Sequence, residues 1–256
     1  MDSPCPLQVP CDNPGFMLPS NQAGIRLFKA FGIQVSLHWT WFLVAYYRFQ
    51  MGKGSYDQHL WMLAEYVSLF VIVLMHEFGH SLACRSVGGS SDRIILWPFG
   101  GIAFVQPPPR PGAFLWSIAA GPLVNVVLWP VLAAVRYFVF QMPGVSNDAM
   151  QFIDAVEFIN RILLIFNLLP IYPLDGGQIF QSILWFFIGQ AKSTMIAAGL
   201  GLVVAIVCGG YALLKGQIWL GVMALFLVSQ SWRSFQWARA SLRDEKMERE
   251  NPVIDI

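Results

Sequence analysis

Residues 71–84 read VIVLMHEFGHSLAC, two histidines and a glutamate inside an otherwise apolar run. The run reaches back to Leu60. As a helix, 60–84 is long enough to cross a hydrocarbon core about 30 Å thick. A charged group at the centre of such a helix costs about 2.5–3.5 kcal/mol. Three ionisable groups so close together call for a compensating interaction, and their spacing says which. His76 and His80 stand at i and i+4, so both imidazoles share one face and can reach one metal ion. Glu77 is turned about 100° away and can approach a water at the metal without being a ligand. The competing reading is a pair of histidines satisfied by core hydrogen bonds. At average composition, H-E-x-x-H arises by chance in under about one in a hundred chains of this length. It is rarer still where charge is disfavoured, so the metal reading is preferred.

The rest of the chain fits a membrane protein. Of 256 residues, 56% are hydrophobic and 12% charged, with a mean hydropathy of +0.55; a soluble domain carries about a quarter charged residues. The net charge of +1 gives no electrostatic case for nucleic acid. Apolar runs predict spans at 36–51, 60–84, 113–139, 151–170, 194–214 and 217–233, with a short apolar helix at 177–189. Six spans put both termini on one side. Arg26, Lys29, Arg85, Arg93, Arg110 and the basic residues from Arg233 onward crowd that side, so the termini are predicted to be cytosolic and the protein a multi-pass plasma-membrane protein. Glu157 and Arg161, one turn apart in the fourth span, can neutralise each other.

Short strands are also predicted. IQVSL (33–37) alternates, and SDRIILWPFGGIAFVQ (91–106) places apolar runs on either side of Pro98–Gly101, as two strands and a turn do. The fold class is therefore an α-helical polytopic membrane protein, about six transmembrane helices with a small membrane-associated β-sheet or hairpin. The first 22 residues lack the basic start and apolar run of a signal peptide and read as a poorly ordered tail. Cys5, Cys11, Cys84 and Cys208 show no metal-binding or CxxC spacing.

Zinc takes four ligands, and a catalytic site leaves one position for water, so a third protein ligand is needed. His59 lies at the far end of the second span. His38, in LHWTW (37–41), suits an interfacial or hydrogen-bonding role. The better candidate is Asp175 in NLLPIYPLDGGQ (167–178). Pro170 and Pro173 stop the fourth span and Gly176 and Gly177 let the chain turn sharply, on the same side as the histidines. The competing role for Asp175 is an N-cap for the helix that begins near Gly177.

HEFGH (76–80), GPLVN (121–125) and NLLPIYPLDGG (167–177) together resemble the site-2 protease family of intramembrane zinc metalloproteases. LHWTW and LWPFGG (96–101) fit that pattern, and the resemblance covers roughly residues 24–190. It implies one Zn2+ per chain held by His76, His80 and Asp175, with Glu77 as catalytic base. The implied partners are a transmembrane protein substrate, cut within or near its span, and the lipid bilayer. Asn125 and Asn167 match asparagines of the family's motifs and are candidates for holding an oxyanion or supporting the site. Gln178 stands where an arginine is common in the family. The expected divisions are a tail over 1–23, a zinc metalloprotease membrane core over 24–190, C-terminal transmembrane helices over 191–233 and a charged tail over 234–256. Nothing in the sequence indicates an oligomer. Two other readings compete: a proton- or metal-linked transporter, and an inactive family member serving as a binding scaffold. The first lacks an inverted repeat, and the second has no need of the full ligand set with Glu77.

A transmembrane substrate hides its carbonyls in helical hydrogen bonds and must unwind to be cut. Leu96, Phe99, Gly100, Gly101 and Ile102 are the candidates for a strand that pairs with the unwound chain. A plain connecting hairpin is the competing reading.

Overall fold

The computed structural model describes residues 24–51, 56, 58–97 and 100–250. The tail with Cys5 and Cys11, the turn residues Pro98 and Phe99, and residues 251–256 lie outside the described residues.

The elements run β1 (Gly24–Ala30), β2 (Ile33–His38), α1 (Thr40–Met51), α2 (His59–Ser86), β3 (Ser90–Trp97), β4 (Gly100–Gln106), α3 (Pro111–Gln141), α4 (Asn147–Asn167), α5 (Asp175–Ile188), α6 (Gln190–Lys215) and α7 (Ile218–Glu250). Helix α2 carries the H-E-x-x-H motif through 28 residues, about 42 Å. It stops at a glycine pair. Gly88 takes φ +87°, its N–H bonds the Arg85 carbonyl, and the Gly89 N–H bonds the Cys84 carbonyl. That pattern closes a helix and turns the chain, so β3 starts two residues later beside the end of α2.

The four strands form one sheet in the order β1-β2-β3-β4. β1 and β2 are an antiparallel hairpin turned by Phe31 and Gly32, both with positive φ, the geometry that suits a two-residue hairpin. β2 and β3 are parallel because α1 and α2 form the crossover between them. β4 returns antiparallel to β3 and forms the far edge. Ile33, Val35, Ile94 and Leu96 pack from the sheet onto Val73 of α2, which fixes the sheet against the motif helix. Arg85 reinforces this from the last turn of α2, donating to the carbonyls of Phe31 and Gly32.

The predicted strand at 33–37 is β2, and the predicted pair around the Pro98–Gly101 turn is β3 and β4. β1 was not anticipated. Its apolar residues alternate poorly with Arg26 and Lys29, and most of the strand is exposed, so no buried face imposes a pattern.

Among the described residues, three helices are long and apolar enough to cross a membrane: α2, α3 and α6. The expected span at 36–51 divides into the end of β2 and the 12-residue α1, about 18 Å and too short to cross alone. The expected spans at 151–170 and 217–233 fall in α4 and α7. The helix of α7 continues through the charged segment to Glu250. Glu157 and Arg161 do pair, at 3.9 Å, but Arg136 of α3 joins them, 3.4 Å from Glu157 and bonded to Asp154.

Candidate metal centre

The i and i+4 spacing on α2 puts the Nε2 atoms of His76 and His80 3.1 Å apart. Asp175, the first residue of α5, brings Oδ2 to 3.0 Å from His76 Nε2 and 3.5 Å from His80 Nε2. The two histidines are 3% and 5% exposed. Asp175 is not the helix N-cap: that position is Leu174, which makes no side-chain cap bond. The turn before it is tight because Gly176 and Gly177 have no side chain. A Cβ on Gly176 would lie 2.3 Å from the Leu168 carbonyl oxygen, and one on Gly177 would lie 2.4 Å from the Tyr172 nitrogen. Gln178 donates to the Pro173 carbonyl at 2.9 Å, so it ties the same turn.

Hydrogen bonds set the tautomers. Asn160 Nδ2 donates to the Asn125 backbone carbonyl, which can only accept, so Asn160 Oδ1 faces Asn125 Nδ2 at 2.8 Å. Asn125 Oδ1 is thereby left to face His76 Nδ1 at 2.7 Å. His80 Nδ1 faces the Ser117 carbonyl at 2.9 Å. Both Nδ1 atoms must then donate, and in its neutral form each ring presents a bare lone pair at Nε2. Those lone pairs converge with a carboxylate oxygen that is buried and makes no hydrogen bond of its own. Such a cluster is repulsive unless a cation joins it. Two imidazoles and a carboxylate are the donor set of a catalytic zinc site with one position open, so the residues fit zinc.

Glu77, 5% exposed, is held apart from the ligand atoms. Its Oε2 accepts from the Ala103 N–H of β4 at 2.9 Å, and its chain lies over Gly101, where a Cβ would come within 2.1 Å of Glu77 Cγ.

The family model for peptidase family M50 matches residues 64–157 and 139–208, which includes the histidines, Glu77 and Asp175. The chain belongs to peptidase family M50. It is similar to a solved structure, the Site-2 Protease from Methanocaldococcus jannaschii, at 32% identity and a TM-score of 0.64, covering 83% of this chain and 95% of that one. A zinc metalloprotease of Methanocaldococcus jannaschii is 34% identical over 79% of this chain, which spans 58% of that relative's length. Stage IV sporulation protein FB of Bacillus subtilis is 35% identical over 43% of this chain and 37% of its own.

Against that M50 membership, the structure brings His76, His80 and Asp175 together with Glu77 beside them. Asn125 meets His76. It is fully buried, with Oδ1 at His76 Nδ1 and Nδ2 donating to Asn160 Oδ1. Asn167 is half-buried at the end of α4. Leu96 is in the core, with its backbone paired to Leu37 on one side and Gly101 on the other, so it cannot offer an edge to a substrate. Gly100, Gly101 and Ile102 lie on β4, which can; Phe99 is outside the described residues. His38 has the hydrogen-bonding role expected of it, with Thr40 Oγ1 at 2.6 Å and Trp97 Nε1 at 3.1 Å from its Nδ1.

Sequence reading missed Ser117, Asn160 and the reason for two glycines. A Cβ on Gly121 would lie 2.2 Å from His80 Nε2. Alanine at either glycine is expected to separate two functions of the site. Gly121→Ala displaces the His80 ring and should weaken zinc about 10–100-fold. Gly101→Ala displaces Glu77 alone and should lower cleavage about 100-fold while zinc stays bound. Zinc content after dialysis against a chelator, set beside cleavage rate, reads both.

Proposed function

We propose that the chain is an intramembrane zinc metalloendopeptidase that hydrolyses peptide bonds within or near transmembrane segments of membrane proteins. The observation that carries the reading is the convergence of two bare histidine nitrogens and an unpartnered carboxylate oxygen, with Glu77 beside them, on a helix apolar enough to span a bilayer. His76, His80 and Asp175 would hold a zinc ion, which would supply a water acidified to a pKa of about 7 and a Lewis acid for the carbonyl. Glu77 takes the proton of the attacking water and returns it to the leaving amine. The Ala103 N–H holds its carboxylate in place, and Asn125 and the Ser117 carbonyl hold the imidazoles. Asn167 and Asn125 are the candidates to meet the developing oxyanion.

The same reading places the protein in the plasma membrane with termini and site toward the cytosol, following the Lys and Arg bias. Helices α4 and α7, and α1 together with the end of β2, join the three long apolar helices in a six-span arrangement. The substrate, unwound at the cut, pairs with the outer edge of β4. The Ala103 N–H already points away from β3 to Glu77, and by strand alternation the Val105 N–H shares that direction. The edge therefore delivers a substrate strand next to the base.

The test is cleavage of a single-span substrate by the purified protein in liposomes. Zinc-loaded protein should cut it and chelator-stripped protein should not. Val105→Pro should slow cutting with zinc retained. Cleavage unaffected by stripping would end the metalloprotease reading, and cleavage unaffected by the proline would remove β4 as the substrate strand.

A further inference from the structure

The turn that presents Asp175 is held from outside the region matched to the family, which ends at residue 208. Helix α7 lies beyond it. On that helix Ser231 is fully buried, and its hydroxyl donates to the Tyr172 carbonyl at 2.6 Å, 59 residues away in sequence. Most other serines in these helices do the opposite. Ser229 Oγ bonds the Phe226 carbonyl, Ser182 the Gln178 carbonyl and Ser193 the Gln190 carbonyl, each within its own helix or at its first residue. That local bond is the default for a serine in an apolar helix. Ser231 forgoes it to reach a carbonyl three residues before Asp175.

Helix α6 closes on the same carbonyl from another side. A Cβ on Gly201 would stand 2.6 Å from the Tyr172 oxygen, 2.9 Å from its nitrogen and 3.0 Å from Ser231 Oγ. In the glycine-rich run of α6, Gly209 serves close helix packing, with its Cβ position 3.4 Å from the Ala224 Cβ of α7. Gly201 instead makes room for the Tyr172 backbone. The Tyr172 side chain lies beside Ser234, one turn after Ser231. Within the turn, the Leu174 N–H bonds the Ile171 carbonyl at 2.8 Å, so a shift at Tyr172 is passed to the start of α5.

We propose that Ser231 is a positioning residue of the metal centre: its hydroxyl, with Gly201 opposite, fixes the Tyr172 carbonyl and so aims Asp175 at His76 and His80. The inference rests on Asp175 being a zinc ligand. A metal site is sensitive to such support, because residues that only orient ligands change metal affinity by about 10–100-fold. A serine that merely joined α7 to the protein would alter stability and leave metal geometry unchanged.

The experiment compares full-length Ser231→Ala, Gly201→Ala, Ser229→Ala and Asp175→Ala with the parent. Zinc affinity is read by chelator competition, and site geometry by the visible spectrum of the cobalt-substituted protein. Ser231→Ala should bind zinc about tenfold more weakly and shift the cobalt bands. Gly201→Ala should do the same by pushing on that carbonyl, and it carries the test alone if Ser231→Ala does not fold. Ser229→Ala should match the parent. Parental zinc affinity and cobalt spectrum in Ser231→Ala or Gly201→Ala, while Asp175→Ala loses zinc, would overturn the positioning role and leave the ligand assignment standing. Parental affinity in Asp175→Ala would overturn the ligand assignment itself.

Discussion

Glu77→Gln should leave the zinc content unchanged and reduce cleavage by about 10²–10⁴-fold, the usual effect of removing a general base. Glutamine has nearly the same volume and keeps an oxygen to accept the Ala103 N–H, which now bonds Glu77 Oε2 at 2.9 Å. It can therefore occupy the same place over Gly101. What it loses is the capacity to take a proton. The three candidate ligand atoms belong to other residues, so metal binding has no reason to change. Cleavage at the parental rate in the folded, zinc-loaded variant would mean that another group handles the proton.

Asp175→Ala should lose zinc by more than about 100-fold, beyond the range seen when only a supporting residue is removed. The site would fall to two histidine nitrogens, too few to hold zinc well in a tetrahedral site. Fold stability should change little. Asp175 is not the cap of α5, and a first-turn carboxylate favours a helix by about 0.3–1 kcal/mol. The two measurements, metal content and thermal unfolding of the metal-free protein, thus separate the roles. Full zinc occupancy with a lowered unfolding temperature would make Asp175 a helix-end residue and no more.

The site-bearing helix was legible in the sequence because its signal is local: an i, i+4 pair and the cost of charge in an apolar run lie within five residues. Asp175 was legible for a similar reason, since prolines and glycines mark a helix break beside a carboxylate. The partners that make those residues usable were not. Asn160 reads as one polar residue in an ordinary helix, and its part in setting the His76 tautomer emerges only when α3 and α4 pack. Gly101 stands at a predicted turn and Gly121 in an apolar run, yet each leaves room for a side chain of the candidate site that arrives from α2. The count of spans was poorly legible because apolar composition does not reveal where a strand, as in β2, consumes part of a run. β1 was invisible for want of a buried face.

The histidine pair and Asp175 are separated by about a hundred residues of chain. At a synthesis rate of about 5–20 residues per second, the motif helix leaves the ribosome several seconds before the aspartate does, and Ser231 follows later still. A nascent chain thus presents His76, Glu77 and His80 before the third candidate metal donor exists. The donor set His76, His80 and Asp175 is complete only once α5 has begun to form, so a chain interrupted before residue 175 would lack the third candidate donor.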